Sequence, residues 1–355
     1  MPENKIEVLV VEDSPVVKML LTHLLDSDPQ LHVCGTANNG EEAVEFLTKQ
    51  KPGIIVMDIH MPKMDGFEAT RRIMETQPVP IIICSATVDP KEVATTFQAL
   101  EAGALAFVEK PIGPGHPGFE EMAKNLIETV KLMSEVKVVK RWARARRVEP
   151  AAPTVELKRS PAEVKVVAIG ASTGGPPVLE TILAGLPNDF PVPVLIVQHI
   201  AAGFLAGLAE WLTRTTRLPV HIASHGEPLR PARVYLAPDG VHMGMDANGR
   251  IVLSKADSEG GLCPSVAHLF HSVANVCGPN AVGILLTGMG RDGAEELKQM
   301  KDRGALTLAQ DEQSSVVHGM PGEAIRLGGA THVLAPPALA ATLAAWVKKP
   351  ATSRL

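Results

Sequence analysis

The stretch "VVAIGASTGGPP", Val166 to Pro177, decides how the second half of the chain is read. A β-branched apolar run stops abruptly at small residues, and one hydroxyl, Ser172, stands among the glycines. A dinucleotide-binding turn would need glycine where Ser172 stands, and a P-loop would need a following Gly-Lys, which is absent. "GASTG" does fit G-x-S-x-G, a serine held on a sharp turn from a strand into a helix. The N-terminus of that helix would favour developing negative charge. A serine that merely caps the helix fits the same letters.

Working outward, apolar runs alternate with helix-like segments on both sides of this turn. "VKVVAIG", "PVLIVQH", "RVYLAP", "AVGILLTG", "ALTLAQD" and "THVLAP" read as strands of a mainly parallel sheet with helices on both faces. "VHMGMDANGRIVLS" reads as a hairpin, because two alternating runs flank "ANG". Towards the N-terminus, "VLVV", "HVCG", "IIVMD", "IIIC" and "LAFVEK" predict a five-stranded parallel α/β unit. Between the halves, "KVVKRWARARRVEPAAPTVELKRSPAE" is basic, then rich in Pro and Ala, and reads as a helix tail running into a linker. The expected division is 1–134, a linker over 135–162, and 163–350.

Composition agrees with two α/β domains. The 355 residues are 45% hydrophobic but only 3% aromatic, so the cores must be aliphatic, as parallel sheets are. The net charge of -5 disfavours nucleic acid as the main partner. Cys34, Cys84, Cys263 and Cys277 show neither zinc-ligand spacing nor a disulfide framework, which suits a reducing compartment. The charged N-terminus is no signal peptide, and no apolar run approaches the roughly 18 residues that span a bilayer. A cytoplasmic protein without membrane insertion is expected.

In the first half, chemistry gathers at strand ends. "VLVVEDSP" ends a strand with Glu12 and Asp13, and "IIVMDIHMPKMDG" ends another with Asp58. Parallel strands present such residues at one edge of the sheet, where ligand sites lie. Three carboxylates there repel unless a proton or a cation holds them together, and hard oxygen ligands suit Mg²⁺. Ser85 and Lys110 end the next strands. A hydroxyl and an ammonium facing a carboxylate and a metal make a site for a transferred phosphoryl group, with Asp58 as acceptor. Strand-end acids that are only solvated, or cap the following helix, are the plainer alternative.

"VVEDS", "MDIHMPKMDG", "CSA" and "VEKP" resemble a two-component response-regulator receiver domain over about the first 130 residues. The resemblance implies a flavodoxin-like fold with strand order 2-1-3-4-5 and phosphorylation of Asp58 by a histidine kinase. It implies Mg²⁺ held by Asp13, Asp58 and the main-chain carbonyl of His60, with Glu12 helping through water. Ser85, Phe107 and Lys110 would carry the phosphoryl switch, and Lys110-Pro111 would be a cis peptide.

A nucleophilic Ser172 needs a base and an orienting acid. Among twelve histidines, His199 directly ends a long apolar strand, "PVPVLIVQH". Asp292 follows the glycine-broken "AVGILLTGMGRDG". All three residues are expected on one sheet edge. Their order, Ser–His–Asp, differs from the Ser–Asp–His of α/β-hydrolases. Main-chain N–H groups near Met289 would supply an oxyanion hole. Alternatively, Asp292 caps the helix that follows it, and His199 is a satisfied structural residue.

"IGASTGG", "VQH", "LAPDGVHM", "PSV", "LLTGMGRDGA", "AQDE" and "GMP" resemble the catalytic domain of chemotaxis-type protein-glutamate methylesterases, over about residues 160–348. A receiver joined to this domain is that family's architecture. The resemblance implies Ser172 as nucleophile, His199 as base, Asp292 as orienter and the Met289 backbone as oxyanion donor, without a cofactor for the esterase. It implies hydrolysis of glutamate γ-methyl esters on a methylated chemoreceptor, with deamidation of glutamines, under control of the phosphorylated receiver. The chain departs from the family at His199-Ile200-Ala201, where relatives have His-Met-Pro. It departs again at Cys263-Pro264-Ser265-Val266-Ala267, where they have Arg-Pro-Ser-Val-Asp. The rival expectations are a non-enzymatic partner-binding protein and a DNA-binding output. The intact Ser172, His199 and Asp292 set disfavours the first, and the lack of a basic recognition helix disfavours the second.

Overall fold

The β-branched runs form the strands and the segments between them form helices, in two units, Met1–Arg147 and Val148–Leu355. The structure is a computed structural model, and it describes residues 5–85, 97–116, 118–136, 138, 163–255 and 262–347. The basic stretch "KVVKRWARARR" (save Val138) and nearly all of the expected linker lie outside the described residues.

In the first unit, β1 (Ile6–Val11), β2 (Leu31–Ala37), β3 (Ile54–Met57), β4 (Ile81–Ser85) and β5 (Ala106–Glu109) form one sheet in the order β2-β1-β3-β4-β5. Every pairing is parallel, as expected. β3 and β4 are buried along their whole length, which is why they read as unbroken apolar runs rather than alternating ones. The helices begin where their sequences provide caps. Ser14 accepts from the Val17 N–H with Pro15 opening α1 (Pro15–Asp26), Asn39 caps α2 (Gly40–Lys49), and Asp65 caps α3 (Gly66–Thr76). Helix α4 (Phe119–Ser134) closes the unit. One expectation is corrected: Lys110-Pro111 is trans, and the only cis X-Pro bond among the described residues is Cys263-Pro264.

In the second unit, β6 (Val166–Ala171), β7 (Val194–Gln198), β8 (Val220–Ile222), β9 (Val234–Leu236), β12 (Ala281–Leu285), β13 (Leu306–Gln310) and β14 (His332–Leu334) form a parallel sheet. Its order is β14-β13-β12-β6-β7-β9-β8. The hairpin β10 (Val241–Met245) and β11 (Ile251–Lys255) is antiparallel and separate. Its turn is locked by Asp246, whose carboxylate accepts from the Asn248 and Arg250 N–H groups. Strand β8 is an addition to the expected set. Three residues at the sheet edge, directly after Pro219, are too few to show a period.

The order of these strands places the site. From β6 the chain moves one way across the sheet, through α5 (Gly175–Ala184) to β7 and then α6 (Leu205–Thr216). From β12 it moves the other way, through α8 (Ala294–Asp302), β13 and α9 (Met320–Arg326). Right-handed crossovers therefore send α5 and α8 to opposite faces. The packing agrees. Helix α5 contacts α6 and α10 (Pro336–Trp346), and α8 contacts α7 (Val266–Cys277) and α9. Adjacent β6 and β12 thus flank a topological switch point, the place where a crevice opens beyond the strand ends.

The cores are aliphatic, as the shortage of aromatics requires. Beneath the second sheet, Val166, Ala168, Leu195, Val197, Leu269 and Leu285 pack around Tyr235 and Phe270. Each fully buried branched side chain contributes on the order of 2 kcal/mol relative to exposure. Among the described residues, no helix is long and apolar enough to cross a membrane.

Candidate functional site

The first site lies at the C-terminal edge of the five-stranded sheet. Glu12 and Asp13 follow β1 and Asp58 follows β3, and one carboxylate oxygen from each lies within 4.8 Å of the others. Glu12 and Asp58 are buried, and Asp13 is exposed. Lys110, beyond β5, bridges them, with Nζ 2.8 Å from Glu12 Oε2 and 3.0 Å from Asp58 Oδ1. Asp58 Oδ1 also accepts from the Ile59 N–H at 2.8 Å. Burial pushes the Glu12 carboxyl up although Lys110 opposes it. Burial would lower Lys110, but Asp58 and Glu12 raise it, so the ammonium is kept. The last residue of β4, Ser85, is 1% exposed. Phe107 on β5 is half-buried, in edge contact with Phe97 at 5.8 Å between ring centres. His60 is exposed two residues beyond Asp58.

The carboxylate set suits a small hard cation. One lysine cannot neutralise three acids, and the donors are oxygens, two of them on buried residues and one open to solvent. That chemistry, and not an acidic cluster alone, is what fits Mg²⁺ to a site whose strand ends also present a hydroxyl and an ammonium.

The second site lies at the switch point of the seven-stranded sheet. Ser172 is the first residue beyond β6. Its N–H donates to the Thr287 carbonyl at 3.0 Å and its carbonyl accepts from Gly175 at 2.8 Å, so the backbone turns within three residues. Gly174, at φ +76°, makes that turn in the left-handed region, and no side chain caps α5. Ser172 therefore does not serve as the helix cap. His199 is the first residue beyond β7, and its N–H donates to the Ala171 carbonyl at 2.9 Å as the last rung between β6 and β7.

Asp292 lies beyond β12, its Oδ2 3.0 Å from His199 Nε2. Its carboxylate also accepts from the Val266 N–H at 2.7 Å, the Ala267 N–H at 3.0 Å and the Ser265 hydroxyl at 3.3 Å. These donors form the N-terminus of α7, a natural place for negative charge. Burial would raise the Asp292 carboxyl, but the His199 ring and the two N–H donors hold it below its usual range. The alternative that Asp292 caps the next helix does not hold, since Gly293 is the cap residue of α8 and no side chain bonds there.

The loop beyond β12 presses against Ser172. A Cβ on Gly288 would stand 2.6 Å from Ser172 Cβ, so only glycine allows this approach. Met289 follows it and is 49% exposed. Thr287 fixes this loop and was not singled out from sequence. Its single O–H is shared between the Thr173 and Val317 carbonyls, at 3.0 and 3.2 Å, and its oxygen accepts from the Val317 N–H at 2.9 Å. Its own N–H donates to Gln310 Oε1 at 2.8 Å. Both Thr287 and Gln310 are fully buried, and each ends or follows a strand whose sequence was read only as apolar. Their polarity within buried runs was the available signal.

Comparison with known proteins gives a family for each half of the chain. Residues 167–343 match the family described as CheB methylesterase, and residues 8–116 match the response regulator receiver domain. A protein-glutamate methylesterase/protein-glutamine glutaminase of Nitrosospira multiformis is 56% identical over 340 residues, 95% of this chain and 96% of its own length. One of Syntrophus aciditrophicus is 54% identical over 341 residues, 95% of this chain and 97% of its own. The crystal structure of the Thermotoga maritima CheB methylesterase catalytic domain, 36% identical, superposes with a TM-score of 0.50 over 52% of this chain and 99% of its own.

Proposed function

Because the chain belongs to the family of protein-glutamate methylesterase/protein-glutamine glutaminases with an N-terminal receiver domain, we propose that Ser172, His199 and Asp292 are its catalytic triad. The substrate class is a glutamate γ-methyl ester on a methylated chemoreceptor, or a receptor glutamine. The single observation that carries this reading is the His199–Asp292 pair, 3.0 Å apart, beside the Ser172 turn at the switch point.

The chemistry follows from the placement. One ring nitrogen of His199 faces Asp292 and the other is left for the Ser172 hydroxyl. As Ser172 Oγ attacks the γ-carbonyl, His199 takes its proton and the carbonyl oxygen gains a negative charge. The Met289 N–H, carried on the loop that presses on Ser172, stabilises that oxyanion, a contribution of about 3 kcal/mol for one such donor. The proton then passes from His199 to the leaving oxygen, methanol departs, and a γ-glutamyl ester remains on Ser172. Water, deprotonated by His199, hydrolyses that ester, restores Ser172 and leaves a free glutamate. A glutamine reacts along the same path with ammonia as the leaving group. Asp292, ionised across the neutral range, orients the imidazole and stabilises its charged form.

In the first domain Asp58 is the phosphoryl acceptor, supplied by a histidine kinase. Its Oδ1 is held by Lys110 and the Ile59 N–H, so Oδ2 is the oxygen offered to the phosphorus. Asp13, Asp58 and the His60 carbonyl would hold Mg²⁺, with Glu12 helping through water, and the ion would supply charge neutralisation for the transfer. Lys110 stabilises the phosphoryl oxygens, and Ser85 and Phe107 respond to the modified carboxylate. The expected setting is the cytoplasm, with no nucleic acid partner and no membrane insertion.

The test is methanol release from a methyl-esterified receptor. Ser172→Ala is expected to lose about 10⁴-fold or more in kcat with the fold intact. Equal rates for the two proteins would overturn the assignment.

A further inference from the structure

Beyond His199's rung to Ala171 the ladder between β6 and β7 ends, because one chain turns into α5 and the other enters the loop towards α6. Ser172 and His199 therefore stand on diverging backbones with no main-chain bond between them. One side chain spans the gap. Gln198, opposite Ala171 in register and 4% exposed, donates from Nε2 to the Ser172 carbonyl at 2.8 Å and to the His199 carbonyl at 2.7 Å. A glutamine amide carries two hydrogens, and both are used on these two residues. The opposite atom, Oε1, is buried and accepts from no donor among the described residues. It lies against Gly175, where any Cβ would run into it, so glycine there leaves room for the amide.

We infer that Gln198 is a positioning residue: its amide continues the sheet by one side-chain rung and fixes the distance between the Ser172 hydroxyl and the His199 imidazole. The inference rests on the assignment of those two residues above. Without the rung, the two loops move independently, and an error of about 1 Å between nucleophile and base costs on the order of 100-fold in rate. Substrate binding, which depends on the rim of the cleft, is left alone.

The experiment uses the full chain, with kcat and KM for methanol release, thermal midpoint, and the rate at which an organophosphonate labels Ser172. Gln198→Met keeps the shape and removes both donors. The expected result is a fall of about 10- to 100-fold in kcat and in labelling rate, with KM within about twofold. Gln198→Glu presents a carboxylate to two carbonyls and is expected to be slower still at neutral pH. Relative to Gln198→Met it gains as pH is lowered, since the protonated acid donates one hydrogen. Ile182→Val, a mild core truncation on α5, serves as a stability control and is expected to keep kcat. Unchanged kcat and labelling in a folded Gln198→Met or Gln198→Glu would overturn the inference. So would losses that merely track the thermal midpoint in the way the control's do. If Ser172→Ala itself kept the wild-type rate, the failure would lie in the nucleophile assignment instead.

Discussion

At the scale of single residues, Asp292 does two jobs with one carboxylate. It faces His199 and it also accepts from the first N–H groups of α7. Its folded pKa is below the ordinary 3.8. A lowered carboxylate contributes stability above its unfolded pKa and loses that contribution as pH falls through the folded value. Acid titration of unfolding is therefore expected to show a component below about pH 3.8 that Asp292→Asn removes. The same variant is expected to be less stable by about 2 kcal/mol at neutral pH, through weakened hydrogen bonds. Its kcat is expected to fall about 10⁴-fold, because the amide no longer stabilises the charged imidazole. A variant with unchanged kcat would remove Asp292 from the triad.

At the scale of elements, the proposed chemistry relies on how closely two loops approach. The loop after β12 meets the turn after β6 through Gly288, and Thr287 ties both to the segment around Val317. Gly288→Ala would place a methyl group 2.6 Å from Ser172 Cβ, well inside contact distance. Either the Met289 amide or Ser172 must then move. We expect kcat to fall by about 100-fold or more. The thermal midpoint should fall as well, since Met320 Sδ also occupies the space a Cβ would take. Steady-state kinetics beside a melting curve check both parts, and a fully active Gly288→Ala would show that the approach is not needed.

At the scale of the whole molecule, one chain joins a phosphoacceptor to an esterase. Phosphorylation can shift the activity only by as much as it favours one state of the molecule over another. A small-molecule phosphoryl donor is expected to raise methanol release by the intact protein. Asp58→Asn is expected to abolish that rise while leaving the basal rate within about twofold, since Asp58 belongs to the receiver domain and takes no part in the proposed ester chemistry. Chelation of divalent cations should have the same effect as Asp58→Asn, because the carboxylates around Asp58 then repel the incoming group. A donor response that survives both treatments would refute the assignment of Asp58.

The pattern of apolar residues determined the number and type of nearly all elements, the aliphatic cores and the division into two α/β units. It also placed Glu12, Asp13, Asp58, Ser85 and Lys110 on one edge, and Ser172, His199 and Asp292 on another. The physical reason is that parallel strands all end on the same side, so a polar residue ending an apolar run has a known address. What only the tertiary structure decided lies across that edge. Strand order made β6 and β12 neighbours at a switch point. Thr287 reached Thr173 across 114 positions of chain, Gln198 bridged two loops, and Asp292 capped α7 rather than the helix after it. Periodicity reports which face of an element is buried, but not which distant backbone group a buried hydroxyl or amide will meet, because that depends on the crossing of chains and not on their local repeat.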